Sequence, residues 1–450
     1  MGRGGDVKVK STASRSKRLA LACFFAVAVA VIAAGCGSSG GSSSSSAETP
    51  TTSGESTTAT TAADTSAKPT GTPIKIGSIC SCSGVQASVL GSAGVAMEAW
   101  AQNVNAKGGL NGHPVELFLE DDGGDPAKSQ QAVKKLVEQD KVTAIVSDYS
   151  LVDETWQEYV TEKGIPVVGG LMVETTFLTN PNFFATGAQP PTSLLALTEA
   201  LEQKGKKSLR VLYCAESPIC ALSEKLAQLA AAAAGGKVDV SGAKVSSTAP
   251  DYTATCLDAK NAGVEAVLLG VNALVMSRIM NSCIQQSYTP TVTATTEGSG
   301  ISFAEGSGFE GGLTSGPTAY FTDEDIPGTA EFREAMETYE SGYLESSTMS
   351  DNAVEAWAAG KLFEAAAEAA KLGPSSTSAD VVNGLYKLKE ETLEGLVAPI
   401  TYTKGQPFVT PCAFVHEVQE GAFVLQGGEP SCAPEAAFKT LVGSLSQLSG

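Results

Sequence analysis

Six small-residue stretches, each at the carboxyl end of a short apolar run, are the places where this sequence could hold a ligand: 81–86, 148–150, 170–173, 215–219, 270–273 and 296–299. The apolar runs read as strands, and in doubly wound sheets ligands sit beyond the carboxyl ends of the strands. Ser150-Leu151-Val152-Asp153 places an acid three residues after a hydroxyl, the form of a capping box that opens a helix. Covalent catalysis lacks its parts. The only histidines, His113 and His416, are far apart, and there is no H-E-x-x-H, G-x-S-x-G or G-x-x-x-x-G-K-[ST] motif. Asp121 and Asp122 are adjacent at a strand end, so they point in opposite directions and suit turn caps better than an acid pair. His113 lies in a Gly-His-Pro turn and reads as a surface residue.

The elements that must position these loops follow an alternating pattern. A strand over 74–79 stops at Cys80. A helix follows with Val89, Val95, Ala96, Trp100 and Val104 at three- and four-residue steps, and it ends at Gly108-Gly109. A second strand spans 114–120, and Asp125-Pro126 caps and opens the next helix. Strand, crossover helix and parallel strand form the unit of doubly wound sheets. The pattern continues with a helix over 127–139 and a strand over 142–146. The helix opened by Ser150 carries Trp156, Tyr159 and Val160, and a strand spans 165–168. A second series has strands at 209–213, 238–245, 264–269 and 291–294, with helices at 222–234, 253–263 and 273–286. A return near 312–317 precedes helices at 329–343, 352–372 and 379–388. A third crossing near 398–401 leads to strands at 414–418 and 423–426. The expected fold is α/β: two doubly wound parallel-sheet lobes joined by a three-strand hinge. Lobe I is 73–187 with 317–397, and lobe II is 188–316 with 398–445. Three connections favour rotation of two rigid bodies.

The run Asn105-Ala106-Lys107-Gly108-Gly109-Leu110-Asn111-Gly112, then Val115-Glu116-Leu117 and Asp121-Asp122, resembles the leucine/isoleucine/valine-binding proteins of bacterial ABC importers. So do Gly164-Ile165-Pro166-Val167, Thr296-Glu297-Gly298, and Pro399-Ile400-Thr401-Tyr402 with Gly405; the likeness covers roughly 73–430. It implies a type I periplasmic binding protein, closing like a flytrap on a small molecule and passing it to a membrane permease. The implied ligand shell is Ser83, Gly84, Gln86, Tyr149, Ser150, Leu171, Met172, Val173, Asn272 and Glu297. By position, Ser150 matches the serine that holds a ligand carboxylate at a helix N-terminus, and Glu297 the glutamate that holds an ammonium. Ser150 as a plain helix cap and Glu297 as a solvated loop acid are the alternatives. Val173 stands where amino-acid binders have a threonine, and Val89 and Asn272 where they have tyrosines. Asp153 and Glu154 already complement the helix opened by Ser150. A less charged ligand, such as an amide, amine or small organic solute, therefore stays open. A ligand-sensing ectodomain or adaptor of the same fold is the rival function. The reading includes no enzyme activity and no cofactor.

At 450 residues the chain is long for one core. Its formal charge of −19 argues against nucleic acid as a partner. Six bases and one acid precede Cys36, so the remainder is more acidic still. Basic residues up to Arg18 and an apolar run over 19–34 read as a targeting segment. Ile32-Ala33-Ala34-Gly35-Cys36 resembles a bacterial lipoprotein processing site, with Ala33 in the place of the usual leucine. Residues 1–35 would then be the signal and Cys36 the lipid anchor; an uncleaved anchor helix is the alternative. Both place the remainder outside the cytoplasm, on the outer face of the cytoplasmic membrane in the lipid-anchored case. Residues 37–72, rich in Ser, Thr, Gly and Ala, form a tether with a reach of about 30–35 Å. Eight cysteines remain in an exported chain, which suggests disulfides. Spacing favours Cys214–Cys220, Cys256–Cys283 and Cys412–Cys432. Cys80 and Cys82 would bridge each other in a small ring or stay reduced. The spacings form no zinc pattern, so no metal is expected, and the protein is expected to be a monomer.

Overall fold

The computed structural model describes residues 69–216, 218–296 and 300–445. The targeting segment, Cys36, most of the tether and Glu297 lie outside the described residues. Five parallel strands form a first sheet: β1 (Ile74–Cys80), β2 (Val115–Asp121), β3 (Ile145–Tyr149), β4 (Val167–Gly170) and β5 (Phe183–Phe184), in the order β2-β1-β3-β4-β5. Every residue of β3 and β4 is buried, as expected of parallel strands covered on both faces. Helices Ala87–Ala106 and Asn352–Ala370 pack on each other, and the latter also packs on β3 and β4. Trp100 and Trp357 are fully buried there. Gly360 permits the approach, since a Cβ at that position would lie 2.6 Å from the Trp100 ring.

The second sheet comprises β6 (Ser208–Cys214), β7 (Asp239–Val245), β8 (Ala266–Gly270), β9 (Thr291–Thr295), β10 (Leu313–Gly316), β11 (Cys412–Gln419) and β12 (Ala422–Leu425), with β13 (Ser431–Cys432) against β11. Its order is β12-β11-β10-β9-β8-β6-β7, parallel from β10 to β7 and antiparallel at β10–β11 and β11–β12.

The chain passes between the sheets three times: after β5, after β10 and before β11. The passages touch one another. The Tyr402 hydroxyl donates to the Ala185 carbonyl at 2.8 Å, and the Ala319 amide donates to the Leu396 carbonyl at 2.9 Å. Gly187 lies so close to Pro317 that a Cβ would meet its carbonyl oxygen at 2.5 Å. The fold is thus two α/β lobes joined by three adjacent segments, as expected.

Local corrections have physical reasons. Residues 313–316 are a strand of the second sheet, not a crossing, because Leu313–Gly316 pairs with both β9 and β11; the return begins at Pro317. The strand placed at 142–146 lies at Ile145–Tyr149. The expected capping box does not close. Asp153 accepts a hydrogen bond from the Thr176 hydroxyl instead, and only a short turn, Asp153–Thr155, and helix Gln157–Lys163 follow. Helices Pro190–Gln203 and Glu435–Leu445 are additions to the sequence pattern. Asp125 does cap the helix that Pro126 opens, accepting from the amides of Ala127 and Lys128. Disulfides join Cys80–Cys82, Cys214–Cys220, Cys256–Cys283 and Cys412–Cys432.

Candidate functional site

The carboxyl ends of both sheets open onto one cleft of about 990 Å³. From the first sheet's side it is lined by Gln86, Val89 and Leu90, and by Leu151, Leu171 and Val173 after β3 and β4. The facing wall is Leu269 to Ala273, Met276, Thr295, Gly300 and Glu305, with Cys220 at the end of a loop. A third wall, Leu344 to Ser347 with Met349 and Ser350, comes from the segment before helix Asn352–Ala370. The side chains that bring this wall in are polar: the Ser350 hydroxyl donates to the Val89 carbonyl at 3.1 Å, and the Asn352 amide donates to the same carbonyl at 3.0 Å.

Of the expected ligand shell, Gln86, Leu171, Val173 and Asn272 line the cleft. Asn272 also caps helix Ala273–Gln285, its side-chain oxygen accepting from the Val275 amide. Ser83 and Gly84 are exposed and lie off the lining. Tyr149 and Met172 are fully buried beneath it, with the Tyr149 hydroxyl 3.4 Å from Glu355. Glu297 falls outside the described residues.

Ser150 is also fully buried and does not line the cleft. It sits in a chain of donors that runs to Asp122. Trp156 Nε1 donates to Ser129 Oγ at 2.9 Å, Ser129 and Ser150 share a contact of 3.0 Å, and Ser150 Oγ donates to Asp122 Oδ2 at 2.5 Å. A hydroxyl has one hydrogen, so Ser150 has none left for a ligand, and Ser129 supplies the hydrogen between the two serines. Asp122 Oδ1 accepts from the Ser81 hydroxyl at 2.7 Å and the Gly124 amide at 2.7 Å. Asp121 accepts from the amides of Cys82, Ser83 and Gly123. Both acids therefore hold turns, as their opposite directions suggested.

Three more acids underlie the first-sheet wall. Burial, reinforced by the neighbouring Asp153, pushes the Asp148 carboxyl well above its ordinary range. Burial pushes Asp153 up to about 6, against the opposing pull of the Thr176 hydroxyl. Burial, with the charges of Asp153 and Glu154, pushes Glu174 up to about 8. Across the cleft, Glu216 is exposed and is lowered to about 2 by the Ser246 hydroxyl and the Ser247 amide.

Neither histidine lines the cleft. His113 Nδ1 contacts the Thr72 carbonyl, and buried His416 pairs with Asp323 at 2.7 Å. Among the described residues no group of three or more His, Cys, Asp or Glu side chains is arranged to hold a metal ion. The site can enclose a small molecule but offers no serine–histidine pair at the cleft.

A family model described as periplasmic binding protein matches residues 73–422. The chain belongs to that family. Solved structures share its fold. A branched-chain amino acid ABC transporter protein from Thermus thermophilus with bound valine is 19% identical; the match covers 82% of this chain and 99% of that one, with a TM-score of 0.70. A fatty acid ABC transporter substrate-binding protein from Thermomonospora curvata is 17% identical, covering 82% and 95%, with a TM-score of 0.68. An ABC transporter solute-binding protein from R. palustris in complex with benzoate is 17% identical, covering 81% and 98%, with a TM-score of 0.63. No curated protein matches the sequence. Among the described residues no helix is long and apolar enough to cross a membrane.

The lining residues that sequence reasoning missed include Leu90, Leu151, Cys220, Leu269, Met276, Glu305 and the wall formed by 344–347 with Met349 and Ser350. That wall does not follow a strand, so the strand-end rule passes over it. Its Ser346-Ser347-Thr348 run between two helices marks a loop and nothing more specific.

Proposed function

We propose that this binding protein captures a small solute in the cleft and delivers it to the permease of an ABC importer, without a covalent step. The observation that carries the reading is the shared cleft at the carboxyl ends of two sheets joined by three adjacent passages. The lobes are 73–187 with 317–397, and 188–316 with 398–445. Ligand binding stabilises the closed arrangement, and the permease recognises that state. Two aliphatic side chains support closure: Leu274 is 72% exposed beside the cleft residue Ala273, and Val173 on the opposite wall is 39% exposed. Bringing the lobes together removes both from water.

The protein works as a monomer on the outer face of the cytoplasmic membrane, held by lipid on Cys36 and the tether that follows. The solved relatives carry valine, benzoate and fatty acid in their names, each an apolar body with a carboxylate. The aliphatic lining of this cleft suits the apolar body. A solute panel read by thermal shift tests capture, since a ligand at 100 times its Kd adds about 2.7 kcal/mol of stability. X-ray scattering should show the particle contract with the same ligand. Stabilisation without contraction would remove closure from the proposal. Cys36→Ser should release the protein from membranes, and retention would remove the anchor.

A further inference from the structure

The chemistry of the cleft wall selects among solutes, on the premise that the cleft captures one as proposed above. The stretches that carry the lining are 81–92, 147–157, 170–177, 214–223, 268–277, 294–306 and 343–352, and they contain no lysine, arginine or histidine. The next base along one of them, Arg278, is engaged elsewhere. Its guanidinium donates to the carbonyls of Ser247 and Ala249 and lies over the Tyr252 ring.

Several backbone amides near the cleft that could take an anion in place of a base are also occupied. The protein's own carboxylates hold them: Asp121 takes the amides of Cys82 and Ser83, and Asp148 takes that of Ser150. Asn272 takes the Val275 amide at the start of helix Ala273–Gln285. The Ser150 hydroxyl is spent on Asp122. A carboxylate drawn into this cleft would lose its water without gaining a cation, and an unpaired buried charge is strongly disfavoured.

Beside neutral polar side chains such as Gln86, Ser88 and Ser346, the cleft offers aliphatic surface and two exposed acids. Val89, Leu151, Leu171, Leu269, Met276 and Leu344 supply the surface, and Glu305 and Glu345 lie on the lining of opposite walls. A volume of about 990 Å³ stands at the upper end of the roughly 300–1,000 Å³ usual for small-molecule pockets. The net charge of −19 draws cations towards the protein as a whole.

We propose that the solute is an apolar amine without a carboxylate: a hydrocarbon body against the aliphatic walls and a cationic head between Glu305 and Glu345 as the cleft closes. Recognition is then a charge-assisted hydrogen bond to carboxylate added to burial of the apolar body.

The test uses the full mature chain and two matched series: hexylamine, hexanamide and hexanoate, and benzylamine, benzamide and benzoate, with leucine beside them. Affinities are measured by calorimetry and thermal shift at neutral pH, at low and raised salt. The amine of at least one series should bind about 10-fold or more tighter than its acid and tighter than its amide, the difference one charged hydrogen bond makes. Added salt should weaken the amine selectively. The double variant Glu305→Gln with Glu345→Gln should lower amine affinity about 10-fold and amide affinity by less. Both residues are exposed, so the variant is expected to fold. Tighter binding of an acid, of leucine or of an amide than of the amines overturns the amine assignment and leaves solute capture standing. No binding by any member of either series or by leucine overturns both.

Discussion

Ser150→Ala distinguishes a ligand contact from an internal strut, and the structure assigns opposite outcomes to the two. The side chain is fully buried, and its hydroxyl carries the hydrogen that reaches Asp122 Oδ2 at 2.5 Å. Alanine leaves that carboxylate oxygen without its donor and removes the acceptor at 3.0 Å from Ser129. A lost hydrogen bond to a charged group costs about 1.5–3 kcal/mol, and a stranded neutral hydroxyl adds on the order of 1 kcal/mol. The expected destabilisation is therefore about 2.5–4 kcal/mol, read as a lower midpoint in equilibrium urea unfolding with an unchanged slope. Solute affinity should stay within about 2-fold, because nothing on the lining is removed. A double-mutant cycle with Asp122→Ala should return a coupling of about 0.5–3 kcal/mol. Unchanged stability together with a solute affinity reduced about 10-fold or more would refute the reasoning and return Ser150 to the ligand.

Stability should fall as pH rises from about 4, the unfolded carboxyl range, to about 8. The folded-state values of Asp148, Asp153 and Glu174 are raised, Asp153 to about 6 and Glu174 to about 8. Stability from such groups is fully present below their unfolded values and is lost as pH passes the folded ones. Asp148→Asn with Glu174→Gln should flatten the decline by on the order of 1–3 kcal/mol, and an unaltered slope in urea midpoints against pH would count against it. Leu274→Ser should weaken solute binding by roughly fivefold, from about 1 kcal/mol of apolar burial gained on closure, while leaving the unliganded urea midpoint unchanged; calorimetry on both proteins checks it. Cys256→Ser with Cys283→Ser, opening a link of sequence separation 27, should cost about 3–4 kcal/mol. The matching change at Cys214 and Cys220, separation 6, should cost less, and equal urea midpoints would contradict the loop-length argument.

Much of the fold was legible because its signals are local. Val267-Leu268-Leu269 and Ile145-Val146 read as strands from their apolar runs alone, and Asp125-Pro126 starts a helix through its own side chain and ring. Strand ends in turn pointed to Leu171, Val173 and Asn272. Other features depend on partners remote in sequence. The hydrogen of Ser150 goes to Asp122, 28 residues away, and Asp153 leaves its expected cap for Thr176, 23 residues away. Residues 344–350 are tied to the cleft by contacts such as those of Ser350 and Asn352 with the Val89 carbonyl, more than 260 residues earlier. Periodicity determines which face of an element is buried, and this sequence carries that information residue by residue. Which atom receives a given hydrogen, and which carboxyls lose their water together, depends on what the completed packing places within about 3 Å, and that was settled only in the tertiary structure.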